Sequence, residues 1–250
     1  MTRTSLTIVT ISYGNYDELI ETINSVALQK NLLISPVEVI LVLNGYSSDQ
    51  IKKIKSICKD IPKVIYRIGE DKSLYNAMNI GLEKCRNSHV LFLNSGDKLN
   101  SINCIEIILN RIVLNEISVF QCIQYFENEN YLRPNSTDLA NARKISHQAF
   151  VAPTTTSIFF NEKILISADS DWMQKKLKMH KFNYCEKPIT KFKLGGVSNK
   201  HSIQSALNQI LNKQYIKAGF EILKYMSLII FTDNMRYRIK AKINNFERLK

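Results

Sequence analysis

Across the first 120 residues, short β-branched and apolar runs alternate with longer stretches whose apolar positions recur at helical spacing. Leu6–Ser12, Val37–Leu43, Lys63–Arg67, His89–Leu93 and Ser118–Cys122 read as strands. Tyr16–Leu28, Asp49–Lys59, Leu74–Cys85 and Ile102–Leu114, lying between them, read as helices. This β-α-β-α order predicts an α/β fold: a mostly parallel, Rossmann-like central sheet with helices on both faces. Sheets of that kind bind ligands beyond the carboxyl ends of their strands. The residues in those places are polar: Gly14-Asn15, Asn44-Gly45-Tyr46-Ser47-Ser48-Asp49, Gly69-Glu70-Asp71 and Asn94-Ser95-Gly96-Asp97.

The rhythm changes from about residue 123 to residue 200, where less regular structure is expected. That stretch holds one helix at Asp171–His180 and a loop at Leu194–Asn199 containing Gly195-Gly196. Residues 203–248 read as helical again, in two segments broken near Thr232-Asp233-Asn234, with Ile203, Leu207, Ile210 and Leu211 at helical spacing.

With 45% hydrophobic and 22% charged residues, the chain is able to bury a core and is not disordered as a whole. Eight glycines and five prolines exclude collagen-like and low-complexity architectures. The five cysteines are widely spaced, without a C-x-x-C pair, and read as reduced, mostly buried thiols rather than a zinc site. The apolar start at Leu6–Ile11 is broken by threonines and followed by Asn15, Asp17 and Glu18, unlike a secretory signal, so a cytoplasmic location is expected.

Net charge is +12, and residues 201–250 carry nine Lys/Arg against three Asp/Glu, so much of the excess lies in one terminal stretch. Charge alone admits a nucleic-acid partner, but the basic residues are not interleaved with an aromatic platform, and no nucleic acid is expected. Tyr13-Gly14-Asn15-Tyr16 follows the first strand in place of a G-x-G-x-x-G turn, which argues against a dinucleotide-binding dehydrogenase.

Three stretches together resemble the family 2 glycosyltransferases, in particular members that assemble bacterial polysaccharides. Thr7-Ile8-Val9-Thr10-Ile11-Ser12-Tyr13-Gly14-Asn15 is similar to the family's opening strand. Asp71-Lys72-Ser73-Leu74-Tyr75-Asn76-Ala77-Met78-Asn79-Ile80-Gly81-Leu82 resembles its D-x-G-x-Y-x-A-M-N-x-G helix start, and Leu91-Phe92-Leu93-Asn94-Ser95-Gly96-Asp97 its F-L-N-S-G-D form of the D-x-D element. Weaker echoes follow at Ser146-His147-Gln148-Ala149, Ala168-Asp169-Ser170-Asp171 and Gly195-Gly196-Val197-Ser198. The resemblance implies a GT-A domain over 1–200, with a nucleotide-binding half at 1–120 and an acceptor-binding half at 121–200. A basic helical extension at 201–250 matches none of these motifs.

By this resemblance Asp97 holds a divalent cation, Mn2+ or Mg2+, beside the donor diphosphate. Relatives carry a second carboxylate at or near Asn94 and Gly96, which this chain lacks. Asp97 alternatively closes a turn or caps the helix near Ser101. Thr10, Ser12, Asn15, Asn44, Asp71, Asn76, Asn79, Asn94, Ser95 and Gly96 are the implied donor-binding residues. Asn44-Gly45 reads equally as a turn, and Asn79 as a structural bond to a neighbouring loop.

Inverting transfer needs a general base for the acceptor hydroxyl. Asp169 and Asp171 are the catalytic candidates; Asp169 aligns better with the family's A-D-x-D base, and one of the pair is expected to cap a Trp172–His180 helix. Lys175, Lys176 and Lys178 read as solvated charges on that helix. His147 and Gln148 fall on the acceptor side, or His147 is structural. Gly195, Gly196, Ser198 and Lys200 would form a phosphate loop, with His201 able to reach phosphate or metal.

The apolar run Tyr225–Phe231 is too short to span a bilayer but is followed by Arg236, Arg238, Lys240 and Lys242. It suits contact with an anionic inner-membrane surface, and hence a lipid-diphosphate-linked saccharide acceptor, or else packs on its own domain or in a homodimer. The function implied is an inverting, metal-dependent transferase moving one hexosyl or N-acetylhexosaminyl unit, from a UDP-sugar above all, in O-antigen or capsule synthesis. A non-catalytic nucleotide-sugar-binding protein of the same fold is the alternative.

Overall fold

Strands β1 (Leu6–Tyr13) and β2 (Val37–Asn44) are buried along nearly their whole length, which is why both read as almost continuous apolar runs. With β3 (Val64–Ile68) and β4 (His89–Phe92) they form a parallel sheet in the order β4-β1-β2-β3. The computed structural model describes residues 4–69, 72–126, 129–133, 144–155, 158–164 and 167–193, with Met235, Arg238 and residues 247–249.

Side chains alternate across this sheet and build two cores. On one face Leu6 and Ile8 of β1 meet α1 (Tyr16–Ala27), α2 (Ser48–Ile57) and α4 (Cys104–Leu109). On the other, Val9 and Ile11 meet α3 (Leu74–Lys84) and α5 (Ala168–Met179). Gly81 lets α3 approach the sheet, since a Cβ there would lie 2.4 Å from the Val9 Cγ1. Helix starts are capped by side chains: Asn15 on α1, Ser47 with Gln50 as a capping box on α2, and Ser73 on α3.

The second half is more regular than the sequence suggests. A short β5 (Lys98–Leu99), a long β6 (Ile117–Phe126), β7 (Glu129–Arg133), β8 (Phe150–Pro153) and β9 (Phe182–Lys193) extend the sheet, with β8 antiparallel to β4. The pairing of β6 with β9 is parallel and slips at Phe120, Gln121 and Cys122, opposite Cys185, Pro188 and Thr190. Proline lacks the N–H that a ladder needs, so it is accommodated at the irregularity.

Within the basic extension, Glu247–Leu249 is a strand, β10, antiparallel to β7, and not the end of a helix: its backbone groups pair with Asn130, Tyr131 and Leu132. Apart from Met235, Arg238 and these three, the extension lies outside the described residues. No helix among the described residues is long and apolar enough to cross a membrane. All five cysteines are free and four are buried, as their spacing suggests.

Two positions correct the reading of the late helix. It begins at Ala168, with Ser167 in the left-handed conformation (φ 71°) at its N-cap and making no side-chain cap bond, so neither Asp169 nor Asp171 is the cap; both lie in the first turn. Lys176 is no solvated charge: it is 1% exposed and donates to the Pro153 carbonyl at 2.8 Å, with its ammonium 5.6 Å from the centre of the Trp172 ring. The run of like charges at Lys175, Lys176 and Lys178 conceals that the middle one faces the sheet.

Candidate active site

Beyond the carboxyl end of β4 the chain turns sharply through Asn94-Ser95-Gly96-Asp97. The Asp97 N–H donates to the Asn94 carbonyl at 2.9 Å, and the Asn94 N–H returns to Asp97 Oδ2 at 3.1 Å. Gly96 takes φ +91°, with Glu18 of α1 so close that an added Cβ would meet its carboxylate at 3.3 Å. Asp97 therefore does close a turn, but it caps no helix: α4 starts later, after Asn103.

Asp97 is 7% exposed, and its other oxygen, Oδ1, accepts from Gln148 Nε2 at 3.3 Å. Burial pushes its carboxyl up to about 6, against the opposing pull of His147 and of these hydrogen bonds. Gln148 belongs to the short 3-10 turn His147–Ala149 just before β8. Its neighbour His147 touches both sides: Nδ1 lies 3.0 Å from Asp169 Oδ2 and Nε2 lies 3.3 Å from Asn94 Nδ2.

Consecutive residues of one turn thus join the Asn94–Asp97 element to the first turn of α5. Burial works against charge on both members of the His147–Asp169 pair. Their mutual hydrogen bond and attraction win, raising the histidine and lowering the carboxylate.

Asp171 has a different environment. Its carboxylate pairs with Lys175 of its own helix at 2.8 Å, one turn away, whereas the partner of Asp169 comes from another element. Tyr75 also converges on this point. Its hydroxyl lies against the backbone N–H groups of Ser167, Ala168 and Asp169, and burial, followed by the Asp169 charge, pushes it up to about 12. Phe160 stacks on Trp172 at 4.9 Å, and Trp172 Nε1 donates to the Ile158 carbonyl at 2.9 Å, fixing α5 against the loop before it.

The remaining sequence candidates divide between the site and its scaffold. Thr10 is buried and donates to the Leu93 carbonyl at 2.8 Å, and the Ser12 hydroxyl bonds to the Tyr46 hydroxyl. Asn44 ends β2, and its carbonyl receives the Gly14 N–H from the end of β1, just before the left-handed Gly45. Asn15 accepts from the Glu18 N–H as the α1 cap. Asn79 is taken up by a neighbouring loop: it exchanges two bonds with the Phe160 backbone and donates to Glu162 at 2.8 Å. Asn76 donates to the same carboxylate. Ser95 Oγ and Asn94 Oδ1 are buried without a hydrogen-bond partner among the described residues.

Asp71, Gly195, Gly196, Ser198, Lys200 and His201 lie outside the described residues. The sequence reading passed over three residues. Tyr46 lies in the polar stretch after β2, and Tyr75 inside the helix-start motif of α3. Glu162 has no local signal, because its partners are more than 80 positions away.

The fold and this arrangement define a GT-A type protein, with its polar site at the carboxyl ends of a parallel sheet. By sequence the chain belongs to glycosyl transferase family 2, whose profile matches residues 7–176. Among curated proteins none matches it. Its fold is similar to that of S. aureus TarS 1-349 in complex with UDP-GlcNAc, with TM-score 0.64 and 15% identity over 88% of this chain and 67% of that one. A further TarS structure, with TM-score 0.61 and 14% identity, aligns over 90% of this chain but only 43% of its own. The mannosyltransferase PcManGT from Pyrobaculum calidifontis, in complex with GDP-Man and Mn2+, is similar at TM-score 0.57 and 10% identity, over 97% and 80% of the two chains.

Proposed function

We propose that this protein is an inverting glycosyltransferase that moves a single sugar from a nucleotide-sugar donor, a UDP-sugar above all, to a lipid-linked oligosaccharide in surface polysaccharide assembly, O-antigen or capsule. The observation that carries the reaction is the linkage of the buried carboxylate of Asp97 to the partly exposed carboxylate of Asp169 through His147 and Gln148. The lipid-linked acceptor and the inner-membrane contact rest on the basic, partly apolar sequence of 201–250, and the surface-polysaccharide role on the resemblance to polysaccharide-assembling members of the family.

In this reading Asp169 is the base. Its pairing with His147 keeps it ionised at neutral pH, and it is not spent on its own helix as Asp171 is. The acceptor oxygen bonds to the anomeric carbon as the bond from that carbon to the diphosphate breaks. The acceptor proton passes to Asp169, and the electron pair leaves with the nucleoside diphosphate.

Asp97 fits a divalent cation. It is a buried carboxylate whose two oxygens each hold one N–H, leaving lone pairs free. Among the described residues no group of three His, Cys, Asp or Glu converges on one point, so donor phosphate oxygens would complete the shell. A bound Mg2+ or Mn2+ would offset the charge gathering on the departing diphosphate. The same lone carboxylate supports a second reading, a protein that binds nucleotide sugars without turning them over. Incubating the purified chain with a panel of nucleotide sugars and either cation separates the two. Slow donor hydrolysis that Asp97→Ala abolishes supports the transferase, and binding without any turnover supports the second reading.

A further inference from the structure

The joint on His147 holds three groups that come from three separate parts of the chain. Asp169 is brought from the first turn of α5, Asn94 from the end of β4, and the imidazole from the turn before β8. Asp169 Oδ2 stands 3.0 Å from Nδ1, and the Asn94 amide nitrogen stands 3.3 Å from Nε2. A carboxylate only accepts and an amide nitrogen only donates, so in the neutral imidazole these contacts call for a proton on Nδ1 and a lone pair on Nε2. The ring is thereby fixed in tautomer and in rotation.

We infer that His147 is a positioning residue for Asp169, holding one carboxylate oxygen and tying it to the donor element so that the other oxygen meets the acceptor hydroxyl. This inference rests on the glycosyltransferase reading. Of the two sequence expectations, an acceptor-side contact or a structural role, it sets the first aside and gives the second a function. Asp169 is otherwise carried on a helix whose start is uncapped by Ser167, and Asp171, two positions on, is paired with Lys175 of its own helix. Without the imidazole the base keeps its place in the fold and the backbone N–H groups of Asp169 and Ser170 beside its carboxylate, and loses the side-chain restraint on its orientation. Misplacement of a reacting group by about 1 Å costs on the order of 100-fold in rate. His147 exchanges no proton with substrate; the acceptor proton still goes to Asp169.

The test uses the full chain and three substitutions. Asparagine sets an amide nitrogen close to where Nδ1 stands, and glutamine sets its amide close to Nε2. For the UDP-sugar that the wild type hydrolyses fastest, His147→Ala and His147→Gln should lower kcat by about 100-fold, with donor Kd and melting temperature little changed. His147→Asn should recover at least about tenfold of that loss. Equal losses in all three variants, or rates that simply follow melting temperature, overturn the inference.

A second readout needs no turnover. Long-range 1H–15N spectra of the imidazole at pH 8 should show His147 protonated on Nδ1, with the Nε2–H form appearing in Asp169→Ala. An Nε2–H wild type, or a signal that Asp169→Ala leaves unmoved, equally overturns it. A wild type that hydrolyses no donor fails the transferase reading itself, and is told apart from these outcomes by that activity alone.

Discussion

Asp97→Asn should make the empty protein more stable at neutral pH while abolishing donor turnover. The carboxyl of Asp97 is 7% exposed and is raised from 3.8 to about 6 by burial. At about 1.4 kcal/mol per pH unit, ionising it inside the fold costs on the order of 3 kcal/mol. Asparagine removes the charge and keeps one acceptor, so one of the bonds from Asn94 and Gln148 is weakened, at about 1 kcal/mol. The net gain is about 2 kcal/mol.

The sign follows from the raised acid. Below pH 4 both folded and unfolded chains hold the proton and no penalty exists. The penalty grows between pH 4 and pH 6 and is constant above, so the gap between variant and wild type should open across that window. Urea unfolding at pH 4.5 and 7.5, with chelator and without nucleotide, measures it. Adding UDP-sugar with Mg2+ should then stabilise the wild type and leave the variant unmoved. A variant less stable than wild type at pH 7.5, or a gap that does not change with pH, refutes the reasoning.

Two further predictions concern buried charges away from the site. Glu38 is fully buried at the amino end of β2 and accepts from Thr7, from the Arg86 N–H and from Lys63; these bonds outweigh burial and hold its carboxyl below the ordinary value. Glu38→Gln should cost about 2 kcal/mol in urea unfolding at pH 7. Because a lowered acid stabilises above its unfolded value, that cost should fade as pH falls below about 4. Lys176 is lowered to about 8 by burial, so its charge is a penalty that is full below pH 8 and relieved as pH rises toward 10.5. Lys176→Met should therefore stabilise the protein at pH 7 by about 1–3 kcal/mol and gain little near pH 10, read from the same unfolding curves.

The parallel half of the sheet was legible because its central strands β1 and β2 are buried on both faces and read as apolar runs from Leu6 and Val37 onward. Strands β7 to β9 were not. In β6 and β9 the polar Gln121, Gln124 and Thr190 are buried in the ladder, and Pro188 reads as a break when it marks a slip in register. The Asn94–Asp97 turn was legible because it follows a short apolar strand and carries its own turn residues. What joins it to Asp169 was not, since His147, Gln148 and Tyr75 become neighbours of that site only through pairing across the whole domain. Lys176 and Glu38 have the same character: nothing near them in the chain announces the Pro153 carbonyl, Thr7 or Lys63.

The central claim is that Asp97 and Asp169 act together on one nucleotide-sugar donor, and the most direct measurement is single-turnover donor cleavage with wild type, Asp97→Ala, Asp169→Asn and Asp171→Asn side by side. The account predicts that Asp97→Ala and Asp169→Asn each lose on the order of 100-fold or more in rate, that Asp169→Asn still binds the donor, and that Asp171→Asn stays close to wild type. Equal activity in wild type and Asp97→Ala, or a loss confined to Asp171→Asn, would contradict it.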